Sequence, residues 1–133
     1  TEEEFEYLLN FLDEAQIDRA GCFAYSPVDG ATANALDSPI PDAVREDRRA
    51  LFMAKAEEIS TKRLTKKIGK RIQVIIDRVD ESGGIGRTIG DAPEIDGLVR
   101  VLPPSKPSKR YRAGEIIKVT VISSQGHDLI AET

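Results

Sequence analysis

The first apolar pattern in the chain is helical. Phe5, Leu8 and Leu12 recur at three- and four-residue intervals, which predicts an amphipathic helix over residues 2–15. Residues 19–25 are mostly apolar but lack that period, and we expect them to form one buried strand of a parallel sheet. A helix followed by a buried strand is a piece of an α/β repeat and not a complete fold.

A second helix is predicted after a loop rich in serine, proline and glycine at residues 26–41. Pro41 suits the first position of this helix, and the lysine and arginine residues at 62–67 suit its C-terminal end. Gly69 is the expected stop signal. The pattern therefore predicts a helix over residues 42–66.

From residue 70 onward the apolar period changes from helical spacing to two. Ile72, Val74 and Ile76 alternate with polar residues, which predicts a half-buried strand. Four more strands, each bounded by turn residues, are expected at 85–90, 97–102, 115–122 and 127–132. The glycines of Gly83–Gly86 favour a hairpin turn over a phosphate-binding loop, because a strand and not a helix follows them. Five strands in so short a segment predict a small closed barrel.

Composition and charge narrow the class of protein. Hydrophobic residues make up 40% of the chain and charged residues 32%, which favours a folded chain over a disordered one, and no apolar run reaches the length of a membrane span. Residues 1–66 hold 8 Lys/Arg against 14 Asp/Glu, and residues 67–133 hold 11 against 9. An acidic first half argues against a simple nucleic-acid-binding protein. The single cysteine, Cys22, excludes an internal disulfide and a cysteine-only iron–sulfur site, and it fits a reducing cytoplasm.

Two stretches carry a resemblance to a known family. Residues 18–33 read Asp-Arg-Ala-Gly-Cys-Phe-Ala-Tyr-Ser-Pro-Val-Asp-Gly-Ala-Thr-Ala, and they resemble the late barrel strand and following loop of radical-SAM methylthiotransferases. Residues 86–88 read Gly-Arg-Thr and residues 91–97 read Asp-Ala-Pro-Glu-Ile-Asp-Gly. These resemble the TRAM domain signature of the family branch that modifies a small-subunit ribosomal protein. The helix at 42–66 is similar to the connector between the two parts.

The resemblance implies an enzyme that installs a methylthio group on an aspartate side chain, using S-adenosylmethionine and two 4Fe–4S clusters. In the family, the cluster cysteines lie in upstream segments, and Cys22 matches none of them. We therefore expect a C-terminal fragment that is inactive alone and works in the cytoplasm with the missing N-terminal domains of the same enzyme. The implied partners are a small-subunit ribosomal protein and RNA, with no membrane.

On this interpretation the fold class is α+β, in three parts. Residues 1–41 are the helix–strand remnant of a radical-SAM α/β barrel, and residues 42–66 are a connecting helix. Residues 67–133 are a five-stranded antiparallel TRAM β-barrel that is OB-like.

One candidate site is the segment Tyr25, Ser26 and Pro27, which follows the first predicted strand. In α/β barrels the C-terminal ends of the strands face the active site. The resemblance therefore implies that these three residues line the cavity for S-adenosylmethionine and substrate. The alternative is a structural strand end followed by a turn.

Two charged loops of the predicted barrel are candidate partner-binding surfaces. The first holds Asp91, Glu94 and Asp96, which are interpreted first as solvated residues of a tight loop and second as contacts for a basic ribosomal protein. The second stands where the family usually has a short turn, and its candidate residues are Lys106, Lys109, Arg110, Tyr111 and Arg112. Four cations around one aromatic ring can bind phosphate and stack a base, whereas the alternative is a solvated, disordered loop.

The leading functional hypothesis is the recruiting end of a ribosomal-protein methylthiotransferase, whose TRAM barrel holds the target protein or nearby RNA. A rival within the family is the C-terminal part of a transfer-RNA methylthiotransferase, whose TRAM part is expected to be more basic. A rival from another class is a stand-alone RNA-binding barrel. The acidic residues 1–66 argue against it.

Overall fold

The computed structural model describes residues 1–92, 96–106 and 109–133, and the chain divides into two compact units, Thr1–Ile59 and Ser60–Thr133. The helices are α1, Glu2–Ala15, and α2, Asp42–Thr65, with a short 3-10 helix at Thr32–Ala35. The strands are β1, Arg71–Asp80; β2, Gly83–Arg87; β3, Val99–Val101; β4, Ile116–Gln125; and β5, Asp128–Glu132. Both α-helices lie within one residue of their predicted bounds.

The unit Thr1–Ile59 is built on helical packing. Helix α1 begins with a capping box in which the Thr1 hydroxyl accepts a hydrogen bond from the Glu4 amide at 3.2 Å. Its buried core is a small cluster, made of Leu12, Phe52, Ala56 and Ile59. No helix in the described part of the chain is long and apolar enough to cross a membrane.

The prediction of a strand at residues 19–25 is wrong. These residues form neither helix nor strand, and Thr1–Ile59, which the structure describes throughout, contains no strand. A strand needs a neighbour to pair its N–H and C=O groups, and this unit supplies none. Instead Ala20 and Cys22 pack against the helical core, while Phe23 is 98% exposed.

The unit Ser60–Thr133 is a closed barrel with the strand order β1-β2-β3-β5-β4, as the sequence predicts. Four of the five pairings are antiparallel, but β3 and β5 are parallel. The prediction of an antiparallel barrel is therefore confirmed for four pairings and wrong for the pairing of β3 with β5. An odd number of strands cannot alternate in direction around a closed ring, so one pairing must be parallel.

The barrel interior is filled by every second residue of the strands, which is the alternation expected from the pleat. Its buried cluster consists of Leu64, Val74, Ile76, Val99, Val101, Tyr111, Val119, Val121, Leu129 and Ala131. Two of these come from outside the strands: Leu64 belongs to the last turn of α2, and Tyr111 belongs to the long segment before β4. Helix α2 ends at Thr65, and Gly69, the predicted stop signal, lies four residues later in the turn before β1, with a φ of +84°.

The hairpin between β1 and β2 turns at residues 81 and 82, so Gly83 and Gly84 lie inside β2 and not in the turn. The Asp80 carboxylate accepts hydrogen bonds from the Ser82 hydroxyl at 2.5 Å and the Ser82 amide at 2.8 Å. These bonds lower the pKa of Asp80 below its usual value, and the bond from the Ser82 hydroxyl has the larger effect. An acidic side chain therefore closes this turn.

The two long loops of the barrel leave it at opposite ends. The segment 88–98, which we call the acidic loop, joins β2 to β3, and its Leu98 amide bonds the Asp128 carboxylate at the start of β5 at 2.9 Å. The segment 102–115, which we call the basic loop, joins β3 to β4, and Tyr111 reaches Thr133, just beyond the end of β5, at 3.5 Å. Because β3 and β5 run in the same direction, these contacts place the two loops at opposite ends of β3 and β5.

Candidate functional site

Tyr25 is held in a polar network within the first unit. Its hydroxyl donates to the Asn34 side-chain oxygen, and the Asn34 side-chain nitrogen donates to the Val28 carbonyl at 2.8 Å. An Arg45 guanidinium nitrogen donates to the Tyr25 carbonyl at 2.6 Å. The guanidinium carbon also lies 5.5 Å from the centre of the Tyr25 ring, within cation–π range. Sequence reasoning missed Asn34 and Arg45, because no motif marks either residue.

An open groove lies beside the segment Tyr25, Ser26 and Pro27, whose predicted role in cofactor binding stays a prediction. Tyr25 and Pro27 line an open groove of about 400 Å³, whereas Ser26 is exposed and is not among its lining residues. The remaining lining residues are Ala33, Asn34, Leu36, Asp37, Ser38, Pro39, Ile40 and Arg45. Apolar walls with a few polar groups are the usual lining of a small-molecule site.

The described carboxylates of the acidic loop are engaged in the loop itself. Asp91 accepts a hydrogen bond from the Thr88 hydroxyl at 2.7 Å, and Asp96 accepts one from the Ala92 amide at 2.7 Å. Glu94, the third predicted residue, lies outside the described residues. Both described carboxylates therefore accept hydrogen bonds from neighbouring residues of the loop, and their role toward a partner stays a prediction.

The acidic loop borders a recess of mixed charge. The recess has a volume of about 460 Å³ and is lined in part by Asp77, Arg87 and Asp96. Arg87 and Asp77 form an ion pair at 3.2 Å, so their charges largely cancel. Close by, Ile89 is 98% exposed. Sequence reasoning missed this feature because residue 89 lies inside the strand predicted at 85–90, whereas β2 ends at Arg87. Among the described residues, no group of three or more His, Cys, Asp or Glu side chains can hold a metal ion.

A second recess, which we call the basic groove, lies against the basic loop and the outer faces of β1 and β4. Its volume is about 620 Å³, and five cationic residues line it: Arg71, Lys106, Lys109, Arg110 and Lys118. None of the five forms an ion pair with a carboxylate among the described residues. Positive charges that converge without partners attract anions.

The basic groove differs from the predicted surface in two ways. Arg71 and Lys118 come from strands, where they occupy outward positions next to inward Ile72 and Val119; sequence reasoning did not connect them because β1 and β4 are far apart in the chain. Arg112 is exposed but is not among the residues that line the groove. The alternation of apolar and polar residues along β1 and β4 could have shown that Arg71 and Lys118 both face outward.

Tyr111 does not have the predicted stacking role. Its side chain is 8% exposed and belongs to the barrel core. Its hydroxyl donates to the Leu102 carbonyl at 2.8 Å. A buried ring has no free face on which a base can stack. Tyr111 therefore packs in the barrel core, whereas the neighbouring cations lie outside it.

We expect Tyr111→Phe to lower the free energy of unfolding by about 1 kcal/mol, since it removes one hydrogen bond and leaves the Leu102 carbonyl without its donor. The variant is expected to bind anions as the wild type does. Urea denaturation and an RNA titration measure the two quantities, with Tyr7→Phe at an exposed tyrosine as the control. A loss of RNA affinity at unchanged stability would instead show that the Tyr111 hydroxyl takes part in RNA binding.

The comparisons with known proteins agree with this architecture. Residues 68–133 match the TRAM domain family, so the barrel is a TRAM domain. The whole chain belongs to the family of ribosomal protein uS12 methylthiotransferases, as its motifs predict. It is 87% identical over 133 residues to the uS12 methylthiotransferase RimO of Polynucleobacter asymbioticus, covering 100% of this chain and 29% of that protein.

Two further relatives bear the same name. The protein of Polynucleobacter necessarius is 86% identical over 133 residues, and that of Leptothrix cholodnii is 60% identical over 135 residues. The chain spans 29% of the length of each of these relatives. A solved multidomain protein with nucleic acid binding domains from Streptococcus pneumoniae aligns with 50% of the chain at 22% identity and a TM-score of 0.36. A likeness that weak says nothing about function.

Proposed function

We propose that the chain is part of an enzyme that transfers a methylthio group to ribosomal protein uS12 in the cytoplasm, and that its TRAM barrel recruits the target. The names of the relatives favour a ribosomal protein over a transfer RNA as the substrate. The observation that carries the recruiting role is the separation of charge on the barrel. The acidic loop lies at one end, and the basic loop lies at the other.

The cofactors of such an enzyme divide between this chain and the rest of the protein. One cysteine does not fit a 4Fe–4S cluster, which takes several thiolates; both clusters would be held by residues outside these 133. The groove of Tyr25 and Pro27 fits part of an organic cofactor such as S-adenosylmethionine, which would supply the methyl group and the radical chemistry. Arg45, Asn34 and Tyr25 would then shape the groove around it.

The acidic loop is the surface that suits a ribosomal protein. Proteins that bind ribosomal RNA present basic surfaces to its phosphates, so a loop that carries Asp91 and Asp96 and no cation is complementary to them. The exposed Ile89 adds an apolar contact beside these charges. Hydrogen bonds to the Thr88 hydroxyl and the Ala92 amide hold the Asp91 and Asp96 carboxylates before binding, which reduces the entropy cost of association.

Replacing both Asp91 and Asp96 with Asn is expected to weaken capture of purified uS12 by about tenfold, because charge complementarity at an interface rim sets affinity and its salt dependence. Asparagine keeps the oxygen acceptors for the Thr88 hydroxyl and the Ala92 amide, so the loop stays folded. Binding is measured by titration at two salt concentrations, using the full-length enzyme and this chain.

The matched control is the pair Asp80→Asn and Glu132→Gln, which removes the same charge from the other end of the barrel. Equal weakening by both pairs would show a general effect of net charge and no recruiting loop. Unchanged capture by the acidic-loop variant would place the recruiting surface outside the barrel.

A second candidate function of the barrel is RNA binding. Five cationic residues and one carboxylate, Glu115, line the basic groove, and no ion pair joins these cations to a described carboxylate. The excess of positive charge supports RNA binding, and the burial of Tyr111 limits it to contacts with phosphate. Such binding is salt-sensitive and independent of sequence. With both surfaces in use, the barrel would hold the target protein at one end and RNA at the other.

A further inference from the structure

Arg45 of α2 contacts the loop 25–34 through both its charge and its planar group. It lies in the first turn of α2, where it pairs with Asp42, and its side chain is 17% exposed. From there it donates to the Tyr25 carbonyl at 2.6 Å and stacks on the Tyr25 ring. The Arg45 guanidinium thus links the helix to the groove-lining loop.

The contacts form one chain of interactions from the helix across the loop. Arg45 binds Tyr25, the Tyr25 hydroxyl binds Asn34, and Asn34 binds the Val28 carbonyl. The backbone of the same loop is closed by three further bonds, from the Ala31, Asn34 and Leu36 amides to carbonyls three residues before each. A turn of this kind depends on its side-chain partners, because it has no strand or long helix to hold it.

Arginine suits this position for a physical reason. Its planar guanidinium can donate to a carbonyl, pair with a carboxylate and stack on a ring at the same time. Lysine keeps the charge, but its ammonium is a compact point charge without a planar face. The Tyr25 carbonyl belongs to a segment without regular structure, so within the described residues the arginine is the donor that satisfies it.

We propose that Arg45 is a positioning residue: through Tyr25 and Asn34 it sets the conformation of the loop 25–34 and hence the shape of the groove lined by Tyr25 and Pro27. The importance of that groove in catalysis rests on the proposed function. The coupling of loop to helix rests only on the contacts described above.

Hydrogen exchange on the full-length enzyme and on this chain tests the coupling. Arg45→Gln is expected to raise the exchange rates of the Ala31, Asn34 and Leu36 amides about tenfold or more, because it removes a charge-assisted hydrogen bond and the ring contact together. Arg45→Lys is expected to give an intermediate rate. Arg49→Gln is the matched control, because Arg49 is one turn further along α2 and pairs with Glu46.

Kinetic measurements on the same variants of the full-length enzyme show whether the conformation of the loop affects catalysis. Arg45→Gln is expected to raise KM for S-adenosylmethionine more than it lowers kcat, with Arg45→Lys between it and the wild type and Arg49→Gln equal to the wild type. Unchanged exchange in Arg45→Gln overturns the inference. Faster exchange with wild-type KM and kcat supports the inference and removes the groove from the proposed function.

Asn34→Ala keeps the test decisive if Arg45→Gln does not fold. It breaks the far end of the chain of interactions and leaves α2 intact. We expect the same three-amide region to exchange faster, with an unchanged melting temperature. Wild-type exchange of the Ala31 and Leu36 amides in this variant contradicts the coupling.

Discussion

Replacing Gly86 with alanine is expected to lower the free energy of unfolding of the TRAM barrel by about 3 kcal/mol or more. A Cβ at this position would lie 2.7 Å from Val74 Cγ1 and closer still to the Ile75 carbonyl oxygen. Neither atom can move easily, because Val74 is fully buried and Ile75 is paired in β1. A small barrel has only a few kcal/mol of stability to lose, so most of the variant would be unfolded.

Gly90→Ala is the matched control for this prediction. The nearest heavy atom to its Cβ is the Thr88 hydroxyl oxygen at 3.8 Å, an ordinary contact distance. We expect its stability to stay within about 0.5 kcal/mol of the wild type. Urea denaturation followed by the NMR methyl signals of Val74 and Val121 measures both variants. A wild-type midpoint for Gly86→Ala would mean that β1 and β2 are further apart than the structure places them.

Replacing all five cations of the basic groove with glutamine is expected to weaken single-stranded RNA binding by on the order of a hundredfold at low salt. Each phosphate contact contributes about 0.7 to the slope of log K against log salt for a single strand, so the slope should fall as contacts are lost. The binding of a labelled oligonucleotide, titrated at several salt concentrations, gives affinity and slope together.

The strand and loop cations are expected to contribute unequally. Arg71 and Lys118 are held by paired strands, whereas Lys106, Lys109 and Arg110 belong to a segment outside the strands, where fixing a side chain costs more conformational entropy. The pair Arg71→Gln and Lys118→Gln should therefore account for a large share of the effect. The pair Arg78→Gln and Arg112→Gln removes the same charge outside the groove lining and is the control.

Two outcomes would contradict this use of the groove. If the control pair weakens binding as much as Arg71→Gln with Lys118→Gln, the RNA responds to net charge alone. If the five-residue variant keeps the wild-type salt slope, RNA does not bind at the groove, and the barrel's role reduces to the acidic loop. Loss of RNA binding with intact uS12 capture would instead show that the two ends act separately.

The separation of the two loops changes how recruitment is understood. From the sequence, residues 91–96 and 106–112 are two competing candidate surfaces, and the sequence does not show where on the barrel each one lies. In the structure β3 lies between them and carries the chain from one end of the barrel to the other. One small ligand cannot contact both, whereas a ribosomal protein with its RNA can.

The sequence by itself determined the elements whose causes are local. The capping box at Thr1 and Glu4 and the spacing of apolar residues are enough to start and orient α1. Alternation at Ile72, Val74 and Ile76 is enough to identify β1 and its inward face. The family followed from short motifs, because the strings at 18–33 and 91–97 can be read without any knowledge of their neighbours in space.

Only the tertiary structure decided what depends on partners distant in the chain. Residues 19–25 have the composition of a strand, but they have no neighbour to pair with. Tyr111 stands among basic residues in the sequence, which suggests that its ring stacks on a base, but the ring is packed in the barrel core. Arg71 and Lys118 enter one groove because β1 pairs with β4, and Arg45 reaches Tyr25 because a helix packs beside a loop. Pairing and packing are cooperative properties of the whole fold, so no local pattern in these residues could specify them.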